Sequence, residues 1–463
     1  MKRLISFVIV LLLICGMPVS AFADTWYVDD GNITVNATDS GQTVSQGETT
    51  TPDDAPVITQ RDSSTPTTNT VTINAAENAE ANVTLSGVNI DTRGTHKAAV
   101  EIQGEGDVVI ELDGSNTVQS GLERAGVEKN TRDPWGTNPG SGNGNLTITD
   151  ENETHGSLKA TGGSTGAGIG GGHDRSGSNI TITGNAEVTA QGGYSAAGIG
   201  GGDDNDGRNI TITGSAEVTA TGGSMGAGIG GGACCTGSEN ITVSGDAQVK
   251  AQGGVETNNP ATGAAIGDGA QYNSDIPGRE ETPNTDALNE GWIAAYAPGT
   301  ENMDTAVPNS LTYKDDNGYL TTSSNAVPFT KQKPTCTEDG YRAGFTVGNT
   351  QVGGETLPAT GHNVPNGYTP QNDATCTTLG TMKGYCPNCQ TTVTIPDPNS
   401  EYAPHSFTNY ISNPDATYDH DGTKTARCDF CDATDTIPDP GSKLVWATAP
   451  LYRVIDQDGK ALS

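Results

Sequence analysis

The chain has 463 residues, 63 of them glycine, and its 23 lysines and arginines face 56 aspartates and glutamates, a formal net charge of −33. A nucleic-acid binder needs a basic stripe to displace counterions, and an anionic membrane surface repels so acidic a chain, so both partners are excluded. Only 32% of residues are hydrophobic and 5% aromatic, well below the usual globular composition, which raises disorder as a first alternative.

Met1-Lys2-Arg3, the apolar run from Leu4 to Ile14 and the small-x-small triplet Ala21-Phe22-Ala23 read as an export signal cleaved before Asp24. Pro18 and the small residues around it make the run too short for a membrane span. Ile14, standing before Cys15, lacks the small side chain of a lipidation signal. The mature chain is expected outside the membrane, secreted or cell-surface associated, with no transmembrane anchor. Residues 36–69 are polar enough to leave disorder open there. Alternating strand patterns follow at 70–73 (TVTI), 82–90 (NVTLSGVNI), 98–102 (AAVEI) and 107–118 (DVVIELDGSNTV).

From residue 145 the chain repeats itself. Residues 179–202 read NITITGNAEVTAQGGYSAAGIGGG and residues 209–232 read NITITGSAEVTATGGSMGAGIGGG, with a related copy at 145–172 and another running from Asn240 towards Ile266. Each unit holds three short period-two or small-residue segments separated by Gly, Asn and Asp turns. Three short strands per repeat, stacked about 4.8 Å apart, describe a parallel β-helix, in which each Ile or Val rests on its equivalent in the next coil. The expected fold is therefore all-β: a right-handed parallel β-helix over 24–275, a transition at 276–330, a small Cys-rich β tail of modules over 331–440, and an incomplete segment over 441–463. Asn145, Asn179, Asn209 and Asn240 begin the same strand in four units. They are expected to form an internal amide ladder, although the Asn-x-Thr triplets also match glycosylation acceptors.

The series NVTLSGVNI, AAVEIQGEGDVVIELDGSNTV and then repeated NITITG…GAGIGGG resembles secreted Gram-positive, clostridial-type proteins that contain a carbohydrate-binding parallel β-helix similar in shape to pectate lyases. The resemblance covers about residues 24–275. It implies polysaccharide or cell-surface glycan binding, with calcium held on the coil surface.

The calcium candidates are Asp203, Asp204 and Asp206, in the turn after the second GIGGG, where carboxylates crowd as hard oxygen ligands. A solvated polar turn is the plainer reading, because the matching corners His173-Asp174-Arg175 and Ala233-Cys234-Cys235 share little chemistry. Glu187 and Glu217 align across two coils, with Gln248 after and Lys159 before, and such a row is expected to be exposed. His96 and His155 have no evident partner. No catalytic constellation emerges, so the chain is expected to be a non-enzyme. Aromatic platforms are also missing: between residues 145 and 270 the aromatic is Tyr194, with Trp26, Trp135 and Trp292 lying outside that stretch.

The tail carries three related units headed by PTCTEDGY at 334–341, ATCTTLGTMKGYCPNC at 374–389 and ATYDHDGTKTARCDFC at 416–431. They resemble zinc-ribbon-like repeats of secreted surface proteins. In the middle unit His362, Cys376, Cys386 and Cys389 supply three thiols and an imidazole, a tetrahedral Zn2+ set. In the third unit Tyr418 stands where the leading cysteine would be, leaving His405, Cys428 and Cys431, with His420 as a substitute ligand. Export from the cell favours a rival disulfide framework, and both readings stand at this point. Leu357-Pro358-Ala359-Thr360-Gly361 matches a sorting motif, yet no apolar stretch and basic tail follow it. The functional expectation is a carbohydrate-binding surface protein, with a structural or adhesive spacer as the alternative and a polysaccharide lyase or glycoside hydrolase behind both.

Overall fold

The computed structural model describes residues 23–446 except 133–139, 153, 236, 257–258, 273–275, 316, 330–331, 342 and 355, and also describes 457–458. The export signal and Trp135 lie outside the described residues. The chain divides into two compact units, one holding residues 1–332 with 341–356 and the other 333–340 with 357–463. Nearly all regular structure is β, with one short 3-10 turn at Val28–Asp30. No helix among the described residues is long and apolar enough to cross a membrane.

The first unit is a parallel β-helix, and its register is that of the repeat. In one wall Val108, Leu146, Ile180, Ile210 and Ile241 lie side by side on neighbouring strands. In a second wall Leu158, Val188, Val218, Val249 and Ile293 do the same. The third wall is the longest, stacking Ile33, Val71, Val100, Val127, Ile169, Ile199, Ile229 and Ile266. Every member of these three columns is buried. A composition poor in apolar residues thus suffices, because each coil needs only a few inward side chains and each is covered by its own kind. Glycine makes the corners feasible. Gly200 sits at φ +129, and a Cβ there would stand 2.0 Å from the Gly230 carbonyl oxygen.

The helix reaches further than the repeats do in both directions. Residues 36–69, open to disorder by composition, supply the antiparallel strands Ile33–Thr38, Gly41–Gln46 and Thr49–Pro52, which fold back along the sheet and cover its edge. At the other end the segment 276–330, expected as a transition, contributes Trp292–Tyr296 as a further parallel strand, followed by the antiparallel strands Ser310–Lys314 and Leu320–Ser323. Trp292, Tyr296, Leu311, Tyr313, Phe345 and Val352 build a small core of their own around this end. Sequence periodicity missed it because its aromatics occur once rather than once per repeat.

The asparagine ladder forms at the surface instead of inside. Asn209 Nδ2 donates to Asn179 Oδ1 at 2.9 Å and Asn240 Nδ2 to Asn209 Oδ1 at 3.1 Å. All three hold left-handed backbone, with φ between 53 and 58, a conformation asparagine tolerates. Asn145 departs from the row and donates to Asp107 Oδ1 at 2.9 Å.

The second unit consists of two small antiparallel three-stranded sheets, one built on Thr381–Cys386 and Thr391–Pro396, the other on Thr423–Arg427 and Thr434–Pro438. Their buried side chains include Cys336, Cys386, Ala426 and Cys428, with hardly an aliphatic among them.

Replacing Ile199, midway along the longest column, by alanine should cost about 2–5 kcal/mol, whereas Thr189→Ala on the exposed face should stay within about 0.5 kcal/mol. Urea midpoints of the two variants check this. Equal losses would contradict the stacked core.

Candidate metal centres and ligand cleft

Two tetrads converge in the tail. Cys336, His362, Cys386 and Cys389 form one, and Cys376, His405, Cys428 and Cys431 the other, with all ligand atoms of each within 4.8 Å of one another. Around a tetrahedral ion with metal–sulfur bonds of about 2.3 Å and metal–nitrogen bonds of about 2.0–2.1 Å, two sulfurs stand about 3.8 Å apart and a sulfur and nitrogen about 3.5 Å. The measured separations match: Cys336 to Cys386 Sγ is 3.7 Å and Cys376 to Cys428 Sγ is 3.8 Å. Cys389 Sγ lies 3.4 Å from His362 Nδ1, and Cys431 Sγ 3.3 Å from His405 Nδ1. These are the spacings of ligands around an ion, and none of the cysteines is bridged. Burial works to raise the Cys386 thiol, but the Cys389 N–H and His362 outweigh it and bring it down to about 6. Cys428 is likewise held at about 6, where burial is outweighed by the Phe430 N–H and His405. Thiols already inclined to ionise at neutral pH are ready metal ligands.

The set read from sequence is therefore redistributed. Cys376 does not join His362, Cys386 and Cys389; Cys336 from the preceding unit does, and Cys376 closes the next set. His420 is not a ligand but pairs with the hydroxyl of Thr417, whose backbone carbonyl takes part in the module register. That register is carried by one repeated hydrogen bond, from Thr360 N to Thr335 O at 3.0 Å, Ala403 N to Thr375 O at 3.0 Å and Leu444 N to Thr417 O at 2.9 Å. Each acceptor immediately precedes Cys336, Cys376 or Tyr418, and each donor lies two residues before His362, His405 or Trp446. At the third junction Tyr418 and Trp446 thus stand where a cysteine and a histidine stand in the first two. Their rings stack at 4.2 Å with planes 13° apart. The spacing from leading residue to partner, 26, 29 and 28 positions in turn, is the sequence signal that could have found this pairing.

The acidic turn does not gather as a chelate. Asp206 is buried and accepts from the Arg208 guanidinium and the Gly237 N–H, both at 3.0 Å. Asp203 accepts from the Tyr272 hydroxyl at 2.6 Å. Asp204 points to solvent, its carboxyl held above the usual range by partial burial and the charges of Asp203 and Asp174. The calcium expectation for these three residues finds no converging geometry, because Asp203 and Asp206 are committed to different neighbours and Asp204 is exposed. Nor are the two loop histidines isolated. His155 Nδ1 lies 3.2 Å from the Asp150 carboxylate and His96 Nδ1 3.7 Å from Glu123.

A polar cleft of about 380 Å³ opens on the outer side of the third wall, beside Glu101, Arg124, Glu128, Asn130, His173 and Arg175. Glu101 and Glu128 are register partners on adjacent strands and so share a face. Arg124 ties them together, at 3.0 Å from Glu101 and 2.8 Å from Glu128. Glu128 also accepts from the Asn130 amide at 2.7 Å and the Ala125 N–H at 3.0 Å. Burial pushes its carboxyl up to about 7 despite Arg124. On the opposite, inward face of the same strand Lys129 is fully buried, donates to Gly142 O at 2.9 Å, and is pulled down to about 7 by burial. Sequence reasoning passed over this cleft because Glu101 and Glu128 lie in the weak upstream copies, where nothing but three-dimensional register brings them together.

The sequence model of the beta helix repeat family matches residues 180–203 and 210–233, the two most regular coils. Neither a curated protein nor a solved structure matches the chain.

Metal titration followed by native mass spectrometry should show two ions per chain. Cys376→Ser should lower the count to one, and Cys336→Ser should do the same independently. Retention of both ions in Cys336→Ser would return the closure to a single unit. The neighbouring pair on Val127–Lys129 generates a second expectation. Glu128 is raised from 4.5 to about 7, so the folded state holds more protons and stability falls as pH rises across that interval. Lys129 is lowered from 10.5 to about 7, so the unfolded state holds more protons and stability rises again above about 7. Glu128→Gln should flatten the first limb of the urea midpoint against pH, and Lys129→Met the second.

Proposed function

We propose that this chain is a non-catalytic carbohydrate-binding protein exported from a Gram-positive-type cell, with its β-helix as the glycan-facing body and its tail closed by zinc. The cleft at Arg124 carries the glycan reading. Its carboxylates stand on the strands Val100–Gly104 and Val127–Lys129, and they hold the Arg124 guanidinium and the Asn130 amide from the adjoining loops by hydrogen bonds, a preorganised arrangement that can pair with sugar hydroxyls at little conformational cost. Export rests on the basic start, apolar run and Ala21-Phe22-Ala23 triplet. For the tail, zinc is the ion whose bond lengths and Cys3His preference agree with both tetrads, and calcium, a hard-oxygen ion, has no comparable set there.

One observation favours a hydrolase or lyase as a second reading: a buried carboxyl held near neutrality beside a second carboxylate is how a general acid is made. Against it, Glu128 already accepts two hydrogen bonds and is ion-paired with Arg124, which makes it a structural anchor for that guanidinium.

A glycan array probed with full-length protein, with and without a calcium chelator, should retain at least one polysaccharide in both conditions, and Arg124→Ala should weaken that binding at least tenfold. Retention of no glycan in either condition rejects the reading. Release of reducing or unsaturated sugar ends, abolished by Glu128→Gln, would establish the enzyme instead.

A further inference from the structure

The two tetrads of the tail share a plan but not their surroundings. In the first, Cys336 and Cys386 are buried and Cys389 is half-buried; in the second, Cys428 is buried while Cys376 and Cys431 are half-buried. Each knuckle ends on its half-buried cysteine, and the residue two positions later differs: Thr391 follows Cys389, and Ala433 follows Cys431. The two positions are structural equivalents. Thr391 is the register partner of Cys386, and the Ala433 carbonyl accepts from the Cys428 N–H at 2.7 Å, so each lies beside the first cysteine of its knuckle.

Thr391 Oγ1 lies 3.0 Å from Cys389 Sγ. A metal-bound thiolate carries no proton, so in the zinc form the hydroxyl donates and the sulfur accepts. Ala433 offers no such donor, and the polar side-chain group beside Cys431 Sγ, His405 Nδ1 at 3.3 Å, is a fellow ligand. Backbone N–H groups reach Cys386 in the first centre and Cys428 in the second, and so leave the difference between Cys389 and Cys431 in place. A hydrogen bond to a coordinated sulfur draws off part of the charge that makes a thiolate a nucleophile, and outer-shell donors also hold ligands to the metal.

We infer that the second centre is the reactive one: with zinc bound, Cys431 is the sulfur that a soft carbon electrophile attacks first, and Thr391 shields Cys389 from the same reaction. With an activated alkene as the electrophile, the Cys431 sulfur forms a C–S bond to one alkene carbon as its bond to zinc breaks. The other carbon takes a proton from water, and the hydroxide left behind balances the charge. A thioether is a much poorer zinc ligand than a thiolate, so the tetrad opens on three ligands and the ion is released. The inference rests on the zinc reading of the tail and adds an order to it, one guarded ion and one labile ion.

The test loads the full chain with zinc, counts the ions by native mass spectrometry, and treats the protein with limiting N-ethylmaleimide. Alkylated cysteines are read by peptide mapping and freed zinc with a chromogenic chelator. Cys431 should react first, the first ion leaving with it, and Cys389 about tenfold more slowly. Thr391→Val should bring Cys389 up to the Cys431 rate, and Ala433→Thr should slow Cys431 about tenfold, in variants that still load both ions. Mapping keeps these sulfurs apart from Cys234, a half-buried thiol outside the tail. Equal rates at Cys389 and Cys431 in the wild type, or rates unmoved by the substitutions, overturn the inference, as does Cys376 reacting first. Should Thr391→Val fail to load, the Ala433→Thr rate decides. A chain that binds no ion removes the zinc reading and the inference with it, whereas both ions released at one rate remove the inference alone.

Discussion

Everything in the first unit depends on coil-to-coil register. Each residue rests on its equivalent about 4.8 Å away, so the choice of side chain at a position is constrained by the residue above and below it more than by its sequence neighbours. An isoleucine column is self-covering, and a glycine column is self-enforcing. Gly170, Gly200, Gly230 and Gly267 share backbone angles near φ +130, and a Cβ on any of the first three would collide with the carbonyl of the next coil. This is how 32% apolar composition yields a continuous buried core, and why charge collects in turns and at the two ends.

The tail solves the same problem by other means. It has few aliphatic side chains to bury, and its buried positions are largely ligand sulfurs. In the proposed zinc-bound form a tetrahedral ion would replace the hydrophobic core, its binding energy serving as folding energy. Because each leading cysteine completes the set of the following knuckle, Cys376 falls between His362 and Cys386 in sequence while belonging to neither. The two ligand sets are thereby laced along the chain, so that with ions bound the loss of one would loosen two units. At the third junction the Tyr418–Trp446 stack supplies with aromatic area what the first two obtain from coordination.

Legibility in the sequence followed repetition. The strands of the four regular units, their inward isoleucines and valines, and their glycine corners could be read from a 30-residue self-match because register is what repeats encode. The second core around Trp292 and Phe345 could not, since each aromatic there occurs once. The zinc-type ligand types were visible, but their grouping was not: reading within a unit assigns Cys376 to its nearest knuckle, whereas the chain closes across units. In the acidic turn, read first as a solvated polar turn and second as a calcium site, sequence proximity again says little about grouping. Asp203 and Asp206 are three residues apart, yet their partners, Tyr272 and Arg208, pull the two carboxylates to different neighbours.

The same register decides where a ligand can bind at all. Inside the regular coils the outward positions stand at one spacing even where the side chains differ, as in the row Ser157, Glu187, Glu217 and Gln248. Space opens where regularity breaks. The Arg124 cleft lies beside the short strand Val127–Lys129, and a second cavity, bordered by Gln248, lies where the last parallel strand, Trp292–Tyr296, gives way to antiparallel pairing. Those two interruptions are also where buried polar groups depart from the repeated pattern: Glu128 in the first, Gln248 in the second. A solenoid that was only a spacer would have no need to hold polar side chains against the cost of burial at the places where it also leaves a void.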